Sequence, residues 1–157
     1  GGVRCVGSSS QRAGLINHSK SPKETIAAGR SLADANPDCS AYYLQGDLAA
    51  GKTLLTKGIA SFYGIDPSIV ASPTFALVNR YGGGGRVVYH IDLYRIESER
   101  ELEELGLEDM EEEGALLVIE WAEKLGRYRR RDATEVALEV IGEFERRITI
   151  HSPGSAE

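Results

Sequence analysis

Cysteine is scarce in this chain. Cys5 and Cys39 are the only two in 157 residues, and a pair at that spacing builds neither a disulfide framework nor a metal site. A reducing compartment is the expected setting. The histidines, His18, His90 and His151, are too far apart in sequence to suggest a metal constellation. No apolar run approaches the roughly 20 residues of a bilayer-spanning helix, and no secretory h-region opens the sequence. The expectation is therefore a cytoplasmic protein with no membrane association. Positive charge is in deficit, with 18 Lys and Arg against 24 Asp and Glu, a net charge of −6. Such a chain does not grip a polyanion by charge alone, so any nucleic acid it serves is expected to be held by a partner. The guanine-reading pattern N-K-x-D occurs nowhere, which favours ATP over GTP for any nucleotide bound.

What is present suits one globular domain: 41% hydrophobic and 27% charged residues, enough chain to bury a core without staples. Residues 1–20 lack periodicity and read as a flexible N-terminal tail, residues 21–151 as the domain, and residues 152–157 as a C-terminal tail. Ser21-Pro22-Lys23-Glu24 is a capping box with proline at the first helical position. It predicts a helix from Pro22 to about Ala35, broken by Asn36-Pro37-Asp38. A short β-prone run, Ala41 to Leu44, precedes a glycine-flanked loop. Lys52 to Tyr63 then reads as a helix with Leu55, Ile59 and Phe62 on one face. Phe75–Tyr81 and Arg86–Tyr94 read as strands joined by Gly82 to Gly85. A second capping box, Ser98-Glu99-Arg100-Glu101, opens a short acidic helix stopped by Gly106, and Leu107–Glu113 adds a turn or two. Ala115–Glu120 is a continuous apolar run, as in a strand buried on both faces. Thr134–Ile141 and Arg146–His151 alternate around a turn at Gly142–Glu145. Helices and strands stop alternating after residue 64, so a mixed sheet is expected, parallel at its centre with antiparallel hairpins attached.

The segment Gly46-Asp47-Leu48-Ala49-Ala50-Gly51-Lys52-Thr53 satisfies G-x-x-x-x-G-K-[ST] in full. Phosphate oxygens need several backbone N–H donors converging on one point, and glycines let the backbone curl that closely. The helix that follows offers unpaired N–H groups and its positive dipole end. Lys52 supplies charge for the β- and γ-phosphates, and the Thr53 hydroxyl is placed to ligate Mg²⁺. A strand before the loop and an amphipathic helix after it complete the setting. The expected fold is accordingly the α/β P-loop nucleotide hydrolase fold, three layers α/β/α, with ATP and Mg²⁺ as ligands.

Such a loop works with an acid at the end of a neighbouring strand. Glu120 follows Leu116-Leu117-Val118-Ile119 and is poorly explained as packing. Asp92, in His90-Ile91-Asp92-Leu93-Tyr94-Arg95, reads equally well as the solvent face of a strand pairing with Arg95. Trp121, the one tryptophan, either packs in the core or covers a site. Arg127 to Arg131 holds four arginines and reads first as a solvated loop, second as a contact to RNA or an acidic partner. The acidic stretch Glu97 to Glu113 reads as a solvated helical face. His90 and His151 read as structural.

Four elements in this order, Leu44-Gln45-Gly46 through Thr53, Ser72-Pro73-Thr74-Phe75, His90-Ile91-Asp92-Leu93-Tyr94-Arg95 and Ile119-Glu120-Trp121, resemble the TsaE (YjeE) family over about residues 21–151. The resemblance implies a bacterial ATPase required to make threonylcarbamoyladenosine in tRNA. It would act beside the TsaD–TsaB pair that modifies the adenosine next to the anticodon, reaching tRNA only through that complex. It implies Lys52 and Thr53 as phosphate and Mg²⁺ contacts, Glu120 as the second metal-site acid and Asp92 as an essential acid near the γ-phosphate, so that Lys52, Asp92 and Glu120 form the catalytic set. It further implies that Ser72–Phe75 is a switch-like loop, that Thr25 lies near the nucleotide, and that Arg146 approaches the base. One departure stands out: the family usually has glycine at the position of Ala49. Two other classes fit the motif without the resemblance. A small-molecule kinase would use Arg127–Arg131 as a lid and need an added acceptor. An interaction module would bind nucleotide without turnover.

Overall fold

A computed structural model describes residues 3–7, 13–73, 77–82 and 84–153. Its frame is one eight-stranded sheet. The strands are β1 (Val3–Gly7), β2 (Ala13–Ser19), β3 (Ala41–Gln45), β4 (Val78–Tyr81), β5 (Val88–Asp92), β6 (Leu116–Glu120), β7 (Thr134–Val140) and β8 (Arg146–His151), in spatial order β1-β2-β8-β7-β3-β6-β5-β4. β7, β3, β6 and β5 run parallel, and β1, β2, β8 and β4 pair antiparallel at the flanks. The mixed sheet expected from the sequence is thus present.

Helices cover both faces. α1 (Pro22–Ala35) and α2 (Lys52–Phe62) lie on one, where Leu32, Leu55 and Ile59 pack with Tyr42, Leu44, Leu116, Val118 and Val136. α3 (Glu99–Leu105) and α4 (Leu107–Glu112) lie on the other, where Leu102, Leu107 and Met110 pack with Ala41, Tyr43, Leu117 and Ile119. The alternation of residues 41 to 44 and 116 to 119 between the two cores follows from the period of two along a strand. All five residues of β6 are buried, which is why its sequence reads as an unbroken apolar run. Both serine caps form as expected, Ser21 Oγ accepting from Glu24 N and Ser98 Oγ from Glu101 N, while the glutamates accept from Lys20 N and Glu97 N, one residue ahead of each cap.

The tail expected over residues 1–20 is corrected in part. Ala13–Ser19 is a strand of the sheet, with Leu15 opposite Ile150 and Asn17 opposite Ile148, and Val3–Gly7 pairs with it in turn. β8 would otherwise expose a row of unpaired backbone groups. Backbone pairing that covers such an edge needs no side-chain pattern, so β2 left little trace in the sequence. Gly1, Gly2 and Ser8–Ser10 lie outside the described residues, as do residues 154–157 of the expected C-terminal tail. Of the strand expected from Phe75, Val78–Tyr81 forms and Leu77 is a bend ahead of it, while residues 74–76 and Gly83 of the hairpin tip lie outside the described residues.

α1 and α2 cross at two glycines. A Cβ on Gly29 would run into the Leu55 carbonyl, and one on Gly58 into the Ile26 carbonyl, in both cases far inside van der Waals contact with backbone. Gly58→Ala is expected to push the helices apart at a cost of about 1–3 kcal/mol, lowering the melting temperature by roughly 3–10 °C for a domain of this size. An alanine variant melting with wild type would show that the crossing yields freely.

Candidate functional site

β3 delivers the chain into the phosphate loop and α2 takes it away. Gly46 has φ 155° and Gly51 φ 105°, values in the region that glycine reaches without strain. A Cβ at Gly46 would also stand 2.6 Å from the Leu138 carbonyl oxygen. Ala50 N donates to Asp47 O at 2.9 Å, closing a turn at the loop tip where Leu48 is fully exposed. α2 starts at Lys52 with no side-chain cap, so its first-turn N–H groups remain as donors where Gly51, Lys52 and Thr53 line a cleft of about 920 Å³. That volume is ample for a nucleoside triphosphate, and a loop rich in N–H donors beside one ammonium suits a polyphosphate.

Ala49 has φ 72°. A non-glycine residue in the left-handed region costs roughly 1–2 kcal/mol, part of which glycine's greater unfolded-state entropy would offset. Ala49→Gly, the residue usual in the resembling family, is expected to raise the melting temperature by about 2–4 °C. Calorimetric melting checks this, and a lower melting temperature for the glycine variant would show the loop bears no strain there.

The acids come from the neighbouring parallel strands. In register, Leu44 of β3 lies opposite Glu120 of β6, which lies opposite Asp92 of β5. The phosphate loop and both carboxylates therefore leave the sheet at the same edge, the carboxyl ends of parallel strands where such folds build their sites. Glu120 is 5% exposed. Its Oε1 is 3.4 Å from Lys52 Nζ and its Oε2 is 2.7 Å from His90 Nε2. Burial pushes the Glu120 carboxyl up, but the His90 hydrogen bond and the charges of His90 and Lys52 outweigh it and hold the group below its ordinary range. Lys52 Nζ also donates to Gly46 O at 2.7 Å. Asp92 lines the cleft, and its Oδ1 accepts from Tyr94 N at 2.9 Å. The carboxylate thus stabilises the turn by which the chain leaves β5, and among the described residues no ion pair joins it to Arg95.

Other expected residues fall around this centre. Gly46, Asp47, Leu48, Ala49 and Thr53 line the cleft, while Ala50 is buried beneath it. Thr25 is buried behind the loop and does not line the cleft. Its hydroxyl shares a 2.7 Å hydrogen bond with Ser19, and its methyl sits where a Cβ on Gly51 would meet it at 3.4 Å. Arg146 reaches the loop's outer side, where Nη2 donates to Ala49 O at 3.1 Å and Nη1 to Gly142 O and Glu145 O at 3.0 and 2.9 Å. It ties the β7–β8 hairpin to the phosphate loop and is not a cleft-lining residue. Ser72 and Pro73 line the cleft, while Thr74 and Phe75 lie outside the described residues. The segment leading to them is pinned: Lys57 Nζ donates to Pro67 O and Val70 O at 2.9 and 2.7 Å, and Ala71 N donates to Tyr81 Oη at 3.0 Å.

Trp121 is at the rim and 39% exposed, so it covers the site and leaves the core to others. Its ring centroid is 5.0 Å from that of Tyr94, and Lys124 Nζ lies over both rings. Three of the four arginines in the cluster are paired within the chain. Arg127 pairs with Glu99 and Glu103, Arg129 with Glu135, and Arg130 with Glu111 and Asp132. The acidic stretch supplies the counter-charges of Arg127 and one of Arg130's, and exposed pairs of this kind add little stability. Two residues beside the site are not among those expected there: the sequence reads His90 as structural and Arg95 only as a partner for Asp92. His90 is buried against Glu120, and its spacing of two from Asp92, placing both on one face of β5, was the available signal. Arg95 lines the cleft and makes no hydrogen bond or ion pair among the described residues.

A glycine-cornered loop between a parallel strand and a helix, with carboxylates on the adjacent strands, defines an α/β P-loop protein. The model of the family described as threonylcarbamoyl adenosine biosynthesis protein TsaE matches residues 19–148, and the chain belongs to that family. It is similar to the tRNA threonylcarbamoyladenosine biosynthesis protein TsaE of Bacillus subtilis, 35% identical over 134 residues, covering 85% of this chain and 83% of the relative. The protein of the same name from Rickettsia conorii is 34% identical over 140 residues, covering 87% and 79%. Among solved structures, the crystal structure of Bacillus subtilis YdiB superposes with a TM-score of 0.68 at 26% identity, covering 90% of this chain and 86% of that one.

Proposed function

We propose that this chain is a magnesium-dependent ATPase that acts with the TsaD–TsaB pair in forming threonylcarbamoyladenosine next to the anticodon of tRNA. The observation that carries the reading is the convergence of Lys52 and Glu120 at 3.4 Å, with Asp92 in register beside them, at the mouth of a loop built for phosphate. The relatives' names supply the pathway.

Within the cleft, the loop N–H groups and Lys52 bind and orient the triphosphate. Thr53 and Glu120 are the residues that would hold magnesium, one a neutral oxygen donor and the other a carboxylate already ionised. Magnesium, when bound, neutralises charge on the β- and γ-phosphates. Asp92 has one oxygen engaged by Tyr94 N, which leaves the other to orient water near the terminal phosphate. Trp121 and Tyr94 limit solvent entry at the rim. With a net charge of −6 and most of Arg127–Arg131 paired internally, tRNA is reached through the partner complex, in the cytoplasm.

The test is phosphate release from ATP and from GTP, by the chain alone and with TsaD and TsaB. Slow release from ATP that rises at least tenfold with the pair, with little from GTP, is the expected result. Release indifferent to the pair counts against the partnership. The absence of hydrolysis under both conditions overturns the ATPase reading, and equal use of GTP overturns the choice of base.

A further inference from the structure

His90 is wholly buried on β5, on the sheet face that carries α1 and α2. In register it stands opposite Val118, two residues back from Glu120. From there its ring reaches along the neighbouring strand and brings Nε2 to 2.7 Å from Glu120 Oε2. Its other nitrogen, Nδ1, is buried with no hydrogen-bond partner among the described residues. An unpaired buried polar atom is a cost that hydrocarbon side chains avoid, and the surroundings, Val88 and Val118 among them, would accept one. What imidazole does here that a hydrocarbon does not is donate to Glu120. That carboxylate has three rotatable bonds between its backbone and its oxygens, and fixing them requires a partner on the side away from the phosphate loop. Lys52 stands on the loop side, at Oε1.

We infer that His90 is a positioning residue for the metal-site acid: by donating from Nε2 to Glu120 Oε2 it fixes the carboxylate with Oε1 beside Lys52, ready for a divalent cation. The inference rests on the reading of Glu120 as a magnesium-site acid. His90 itself does not line the cleft. Its effect is exerted through Glu120 and falls mainly on how well that carboxylate serves the cation, because Lys52, which Glu120 also contacts, keeps its 2.7 Å hydrogen bond to Gly46 O.

The experiment measures ATP affinity of the full-length chain by calorimetry, with magnesium and with a chelator, for wild type, His90→Leu, His90→Asn and His90→Gln. Glutamine carries an N–H donor at the reach of Nε2, whereas asparagine carries one only at the reach of Nδ1. Wild type is expected to bind ATP more tightly with magnesium. His90→Leu and His90→Asn are expected to lose at least fivefold of that magnesium-dependent gain, with metal-free affinity within twofold of wild type. His90→Gln is expected to restore the gain to within twofold. If His90→Leu does not fold, His90→Asn carries the same comparison. A folded Leu or Asn variant with the full gain overturns the inference, as does a glutamine variant no better than asparagine, which would make shape alone the reason for His90. A wild-type protein with no magnesium gain removes Glu120 from metal duty whatever the variants do, and the inference falls with it.

Discussion

Lys52→Ala is expected to abolish measurable ATP turnover and to weaken ATP binding at least tenfold. Lys52 Nζ is held between Gly46 O at 2.7 Å and Glu120 Oε1 at 3.4 Å, so the ammonium is placed before any phosphate arrives and little side-chain entropy remains to be lost. Each charge-assisted hydrogen bond it would make to phosphate is worth about 1.5–3 kcal/mol, and 1.4 kcal/mol is one decade of affinity. Turnover suffers more than binding, because charge that develops on the transferring phosphoryl group is stabilised by cations already in position. The backbone N–H groups of the loop survive the substitution, so residual weak binding is part of the expectation. Calorimetry and phosphate release check it. Unchanged affinity and turnover would show that nucleotide binds elsewhere.

The phosphate loop could be read from the sequence because its chemistry is local. Eight consecutive residues supply the donors, the ammonium and the hydroxyl, and the flanking periodicities name the strand and the helix. Glu120 was legible for a related reason: a carboxylate closing an apolar run has no packing role. Asp92 could not be separated from a solvent-facing strand residue, because what distinguishes it is the parallel register that sets it beside Glu120, and register is a tertiary property. His90 escaped for the same reason, since the carboxylate that gives it a task is 30 residues away. β2 escaped because backbone bonds to β8 and β1 on its two sides hold it without a side-chain pattern. Arg146 and Thr25 came from resemblance alone, and their contacts are with the loop's backbone and its buried side. Neither lines the cleft, which leaves them as supports of the loop's shape. The arginine cluster shows the converse. Its composition reads first as a solvated loop and second as a contact to RNA or an acidic partner; folding places Glu99, Glu103, Glu111, Asp132 and Glu135 within reach and pairs three of its four arginines inside the chain.

Glu120→Gln is expected to leave the fold intact and to lower magnesium-dependent ATP turnover by roughly a hundredfold, the scale at which one electrostatic contact to a transition state is lost. Burial of β6 comes from Leu116 to Ile119, so the side chain at its end is not needed to hold the strand. The amide keeps the shape and still accepts from His90 Nε2, while it forfeits the charge that a divalent cation and Lys52 require. Glu120→Ala is expected to lose turnover as well and also to melt lower, because it strands a buried imidazole and leaves Lys52 with one partner fewer. Comparing the two separates charge from support: equal turnover loss with unequal melting is the signature of a carboxylate that acts on the bound metal and nucleotide. The measurement is phosphate release with and without the TsaD–TsaB pair, alongside thermal melting of each variant. A folded, fully active Glu120→Ala protein would remove Glu120 from the site. Asp92, in register on the adjacent strand, would then be the acid to test, and Asp92→Asn would have to show the loss that Glu120→Gln did not.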